Sequence, residues 1–155
     1  MFSPHGALCI EPASVGDAEW IARAQVAMAQ ETEDLALDLS TVLKGVQRVI
    51  ENPSMGFYIV ARDADCRPIG CLLVLKEWSD WRNAEVWWIH SVYVGPEYRR
   101  RGVFSRMFAY VESLARASGI QGLRLCVDKH NTDAQAVYRS LGMTGEHYAL
   151  FEKMF

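Results

Sequence analysis

The chain has 155 residues, half of them hydrophobic and 23% charged, with a formal net charge of −3. That length suits one soluble domain, 1–155, with one core, and the mildly acidic balance argues against a domain that lives on nucleic acid. No stretch approaches 18 uncharged apolar residues and no cationic start leads into a long apolar run, so neither a membrane span nor a secretion signal is expected, which points to the cytoplasm.

In chain order, ALCIEP (Ala7 to Pro12) reads as a short strand. Ser14 is the expected N-cap, with Asp17 in the first turn, of a helix through DAEWIARAQVAMAQE. Trp20, Ile21, Ala24, Ala27 and Met28 form its apolar stripe. After the polar break ETED comes a second helix, STVLKGVQRVIEN, capped by Ser40 or Thr41 and ended by Asn52-Pro53. Two β-rich runs then flank DADCRP, which predicts a hairpin. The next run, AEVWWIHSVYV, is apolar on both faces, as a central strand buried on both sides would be.

From Val103 the period switches: Phe104, Met107, Phe108, Val111, Leu114 and Ala115 recur at helical spacing up to Gly119. GLRLCVD is a further buried strand, and NTDAQAVYRSLG a short helix with Asn131 or Thr132 as cap and Gly142 as stop. HYALFEKMF closes the chain with strand-like alternation. Three strands in a row followed by strand–helix alternation implies a mixed α/β sheet with helices on its faces. The segment from Val86 to Val127 is an expected right-handed parallel crossover.

Cys9, Cys66, Cys71 and Cys126 form no CxxC pair, and their spacing fits no zinc pattern, so no metal site is expected. Cys71 and Cys126 lie in apolar runs and read as buried reduced thiols.

VYVGPEYRRRGVFSRMF, from Val92 to Phe108, joins a central strand to an amphipathic helix. The first turn of a helix carries unpaired N–H groups and partial positive charge. Gly102 lets an anion approach the backbone, and Arg99, Arg100 and Arg101 add forked cationic donors. The unit reads as a pyrophosphate cradle, or else as a solvated turn. It is neither a Walker A loop nor a GxGxxG fingerprint.

This stretch resembles the acyl-CoA-binding signature of the GCN5-related N-acetyltransferases, Arg/Gln-x-x-Gly-x-Gly/Ala. Arg99 and Gly102 match, while Phe104 stands where the family carries a small residue. NTDAQAVYRSLGM is similar to the second signature, with Asn131, Ala134, Tyr138 and Gly142-Met143 matching.

The resemblance implies a mostly antiparallel sheet of six to seven strands flanked by about four helices, with its fourth and fifth strands splayed apart. It implies acetyl transfer from acetyl-CoA to a primary amine by direct attack in a ternary complex. Cofactor contacts are expected from Val92, Tyr93 and Val94 along the strand edge, from Arg99, Arg100, Arg101, Gly102, Val103, Phe104 and Ser105 at the turn, and from Asn131, Ala134 and Tyr138. The Val94 N–H would polarise the thioester carbonyl.

Tyr138, a phenol with an ordinary pKa near ~10, is either the acid that protonates the departing thiolate or a core aromatic. His90, four residues before Val94 and assigned the same strand face, is either the base or a core histidine; Glu85 is a second candidate. Glu31, with Glu33, Asp34 and Asp38, would rim the acceptor site, and Trp88, with Trp78, Trp81 and Trp87, would wall it. A homodimer is implied at the level of the family. Alternative readings are a non-catalytic acyl-CoA-binding module and a nucleic-acid binder using the arginines.

Overall fold

A computed structural model describes residues 8–155, so Ala7, the expected start of the first strand, lies outside it. The chain falls into two compact units, one up to Arg124 and the other from Leu125 to Phe155. The elements are β1 (Cys9–Pro12), α1 (Ala18–Glu33), α2 (Leu39–Glu51), β2 (Gly56–Arg62), β3 (Pro68–Ser79), β4 (Ala84–Val94), α3 (Val103–Ala117), β5 (Leu123–Leu125) and α4 (Thr132–Ser140).

The sheet has the order β1-β2-β3-β4-β5. β1 to β4 pair antiparallel, and β5 is parallel to β4. β5 meets β4 near its start, where Gln121 N–H donates to Glu85 O and Trp87 N–H to Gly122 O, both at 3.0 Å. β4 runs on to Val94.

One face of the sheet carries α1 and α2. Ile21, Ala22, Val46 and Val49 pack there with Tyr58, Val60, Cys71 and Leu73. The other face carries α3 through Val103, Met107, Phe108 and Val111, all buried. Gly70 permits close approach on this side, since a Cβ there would lie 3.4 Å from side-chain atoms of both Val103 and Met107. Fully burying residues such as Ile21 and Met107 contributes about 1.5–3 kcal/mol each, which fixes both helical layers.

Several expectations shift. The sheet has five strands among the described residues rather than six or seven. HYALFEKMF forms no strand; Tyr148, Leu150, Phe151, Met154 and Phe155 are exposed, and alternation alone supplies no hydrogen-bonding neighbour. β5 is three residues long and half-buried, and Cys126 beyond it is exposed, whereas Cys71 is buried as expected, with its thiol pushed up to about 12 by burial.

The start of α1 uses Ser14 and Asp17 together: the Asp17 carboxylate reaches back to accept from Ser14 N–H (2.8 Å) and Oγ–H (3.1 Å). α2 is capped by Asp38 instead of Ser40 or Thr41. Its carboxylate accepts from Thr41 N–H (2.8 Å), Thr41 Oγ–H (2.6 Å) and Ser40 Oγ–H (2.7 Å). A carboxylate collecting three donors outcompetes either hydroxyl as the cap.

Candidate functional site

The geometry of the site begins with a defect in β4. His90 stands opposite Leu73 and Tyr93 opposite Cys71, so Ser91 and Val92 together face Leu72. This is a β-bulge, with Ser91 in the left-handed region at φ 54. The extra residue inverts the alternation. Trp88, His90 and Tyr93 all face α1 and α2, whereas Val94, opposite Gly70, faces α3. The expectation that His90 shares a face with Val94 is therefore corrected. Gln25, buried on α1, braces the bulge by donating through Nε2 to Ser91 O at 3.0 Å.

Past the bulge, Gly95 N–H donates to Ile69 O at 2.8 Å. Because narrow and wide pairs alternate along an antiparallel ladder, the neighbouring Val94–Gly70 pair is not hydrogen-bonded. Both the N–H and the C=O of Val94 thus point away from β3. The carbonyl accepts from Arg99 Nε at 2.8 Å. Arg99 also pairs with Glu31 at 2.7 Å and lies over the Tyr93 ring, 5.8 Å from its centroid. Two residues expected at different places, one at the phosphates and one at the acceptor, are here bound to each other.

A 3₁₀ turn at Pro96–Tyr98 leads into the arginines. Arg100 (φ 61) and Gly102 (φ 75) are both left-handed, and α3 starts at Val103, where the helical period begins. No side chain caps this helix start. A Cβ on Gly102 would meet nothing within 4 Å, so the approach to these amides is open. Arg100 and Arg101 are exposed beside them. The turn has the chemistry an anion requires: backbone donors, a helix start and two cationic side chains. Phe104 is half-buried and packs on Phe108 at 6.1 Å, while Val103 and Met107 make the contact with the sheet. The bulky residue is therefore accommodated without lifting α3.

His90 is half-buried, and burial lowers its pKa below 6.5. It stacks on Trp88, whose Nε1 donates to Glu77 Oε2 at 3.0 Å. Arg124 donates to the same carboxylate oxygen at 3.0 Å and lies over the Trp88 ring. Glu77 and Arg124, which hold Trp88 beside His90, are candidates that sequence reading missed. Their signal was available: each is a charge inside an otherwise strand-like run, KEW and GLRL.

The expected aromatic wall divides. Trp87 points to the α3 side and packs edge-on against Phe57 (5.2 Å), while Trp78 and Trp81 are exposed. The acidic rim is partly consumed: Asp38 caps α2, Asp34 accepts from Gln30, and Glu31 holds Arg99. Glu85 accepts from Trp87 Nε1 at 3.1 Å.

The second unit holds the other motif. Asn131 caps α4 by accepting from Ala134 N–H at 3.1 Å, so two motif letters are the two ends of one capping bond. Gly142, at φ 84, ends the helix as expected. Tyr138 is half-buried, and burial raises its pKa above 10, so its hydroxyl stays protonated at neutral pH.

Known proteins resemble the chain in sequence and in fold. The sequence model of the Acetyltransferase (GNAT) family matches residues 20–143. A possible acetyltransferase from Clostridium difficile 630 is 36% identical, with a TM-score of 0.87 over 96% of this chain and 97% of that one. A ribosomal-protein-alanine N-acetyltransferase from Brucella melitensis biovar Abortus 2308 shares the fold at 13% identity, with a TM-score of 0.78 over 96% of this chain and all of that one (100%). The thialysine N-epsilon-acetyltransferase of Bos taurus is 32% identical over 74 residues, which span 48% of this chain and 43% of that protein.

Proposed function

The chain belongs to the acetyltransferase (GNAT) family, an acyltransferase with acetyl-CoA as its donor, and on that premise we propose that it acetylates a primary amine of a small-molecule or peptide acceptor by direct attack. The observation that carries this reading is the junction of β4 and α3. An open, uncapped helix start behind a left-handed Gly102 lies a few residues from Val94, whose N–H points away from β3.

The donor supplies an activated thioester, and the residues divide the remaining work. Backbone amides from Gly102 to Ser105, with Arg100 and Arg101, receive the pyrophosphate. The edge from Val92 to Val94 accepts the amide-rich arm as an added strand would be accepted. The Val94 N–H donates to the carbonyl oxygen as charge grows there. His90 takes the proton that the attacking amine must lose, while Trp88 orders the acceptor beside it. As the new N–C bond forms and the C–S bond breaks, the sulfur takes a proton. We assign that proton to Tyr138 on its match to the second signature and on the raised pKa of its hydroxyl.

The test is thiol release from acetyl-CoA across a panel of amines, preceded by thermal denaturation with CoA alone. A ligand at 100 times its Kd stabilises by about 2.7 kcal/mol, so a clear rise in Tm is expected. No rise at millimolar CoA would remove the donor site.

A further inference from the structure

We infer that Arg99 is a positioning residue, which fixes the peptide plane between Val94 and Gly95 and is itself held by Glu31. The guanidinium is already committed on three sides. Nε donates to Val94 O at 2.8 Å, a terminal nitrogen pairs with Glu31 at 2.7 Å, and Cζ lies over the Tyr93 ring. The same peptide plane is gripped from its other side, because Gly95 N–H donates to Ile69 O at 2.8 Å.

Just past the bulge, both polar groups of Val94 are turned away from its paired neighbour, so the ladder holds the Val94–Gly95 peptide by one bond alone, Gly95 N–H to Ile69 O, and Arg99 supplies the second from outside the ladder. Arg99 takes the carbonyl, while the Val94 N–H, one peptide unit earlier and turned outward by the Val94–Gly70 pairing, remains the outward donor on that edge. Glu31 supplies the anchor from the last turn of α1, so the end of β4 is tied to a helix as well as to β3. Of the three consecutive arginines, Arg99 thus serves the reacting end of the donor, and Arg100 and Arg101 serve its phosphates.

This rests on the donor-site reading above, and the experiment separates the two. Arg99→Gln and Glu31→Gln are compared with the unaltered protein for kcat with acetyl-CoA, kcat with S-acetylpantetheine, which lacks the phosphates, and CoA affinity by thermal shift. Arg99→Gln is expected to lower kcat roughly ten- to a hundredfold with both donors while CoA affinity moves less than about twofold. Glu31→Gln is expected to lower kcat in the same sense but less, with Tm unchanged, since both side chains are surface groups.

A loss confined to acetyl-CoA, together with tenfold weaker CoA binding, would make Arg99 a phosphate ligand and overturn the assignment. Unchanged kcat would overturn it as well. Absence of CoA stabilisation in the unaltered protein would overturn the donor site itself.

Discussion

Trp88 and His90 stack on one face of β4, with ring centroids 6.0 Å apart and planes 23° from parallel. The stack shields the imidazole from water and disfavours its charged form, so His90 titrates below its ordinary 6.5. At pH 7 it is neutral and able to take a proton. The sign follows: kcat/KM falls as pH drops through the lowered pKa, and the acid limb lies below pH 6.5. His90→Gln should cost roughly a hundredfold in kcat/KM and flatten that limb. Trp88→Ala admits water and should move the limb up toward 6.5. A limb that survives unchanged in His90→Gln would assign it to another group.

Tyr138 gives the complementary prediction. Burial raises its pKa, so the hydroxyl remains a donor across the neutral range and is lost only on the alkaline side, above 10. Tyr138→Phe should lower kcat by roughly two orders of magnitude. CoA affinity should stay near its original value, because the ring remains. Turnover equal to that of the unaltered protein would return Tyr138 to a packing role.

The order of elements was legible because each carries an unambiguous period or punctuation mark. Met107, Phe108 and Val111 repeat at helical spacing on α3, and Asn52-Pro53 stops α2. The two signatures sat where strand and helix boundaries demanded. What the sequence hid was the bulge at Ser91. A bulge changes register by one residue without changing composition, so Ile89, His90 and Ser91 read as one alternating strand while the real chain reverses face between His90 and Val94. The Glu31–Arg99 pair was hidden for a different reason. Its partners are separated by 68 positions, and only the fold brings the end of α1 to the turn after β4. Asp38 was legible in principle, since a carboxylate two and three residues before Ser40 and Thr41 is a stronger cap than either hydroxyl.

Gly102 is where backbone conformation and the proposed phosphate seat coincide. At φ 75 with open space around the Cβ position, a substitution there strains the backbone without a clash. Left-handed geometry costs a non-glycine residue about 1–2 kcal/mol. Gly102→Ala should therefore lower stability by about that much in urea denaturation. If the turn holds phosphate, the same change should weaken CoA binding at least fivefold while leaving any use of a truncated pantetheine donor nearly intact. Equal weakening of both donors would place the phosphates elsewhere.

Arg62 on β2 tests what holds the first helix to the sheet. Its guanidinium pairs with Asp17 at 2.7 Å and with Glu11 at 2.5 Å. The Asp17 side chain is 8% exposed and that of Arg62 18%. Glu11 is 44% exposed, so its share is small. Burial alone would raise the Asp17 pKa, but hydrogen bonds from Ser14 and Arg62 outweigh it and hold the carboxyl below 3.8. Arg62→Ala leaves that carboxylate buried beside Ser14 alone and should cost about 3 kcal/mol at pH 7, near the low end for breaking a buried pair. A carboxyl whose folded pKa is depressed adds stability above its unfolded value, and this is lost as pH falls through the folded one. The gap between the unaltered protein and Arg62→Ala in urea midpoints should therefore be widest near neutrality and narrow below pH 3.8, as Asp17 protonates in both. A gap that stays constant from pH 7 to pH 3 would mean that Arg62 acts through its aliphatic stem rather than its charge.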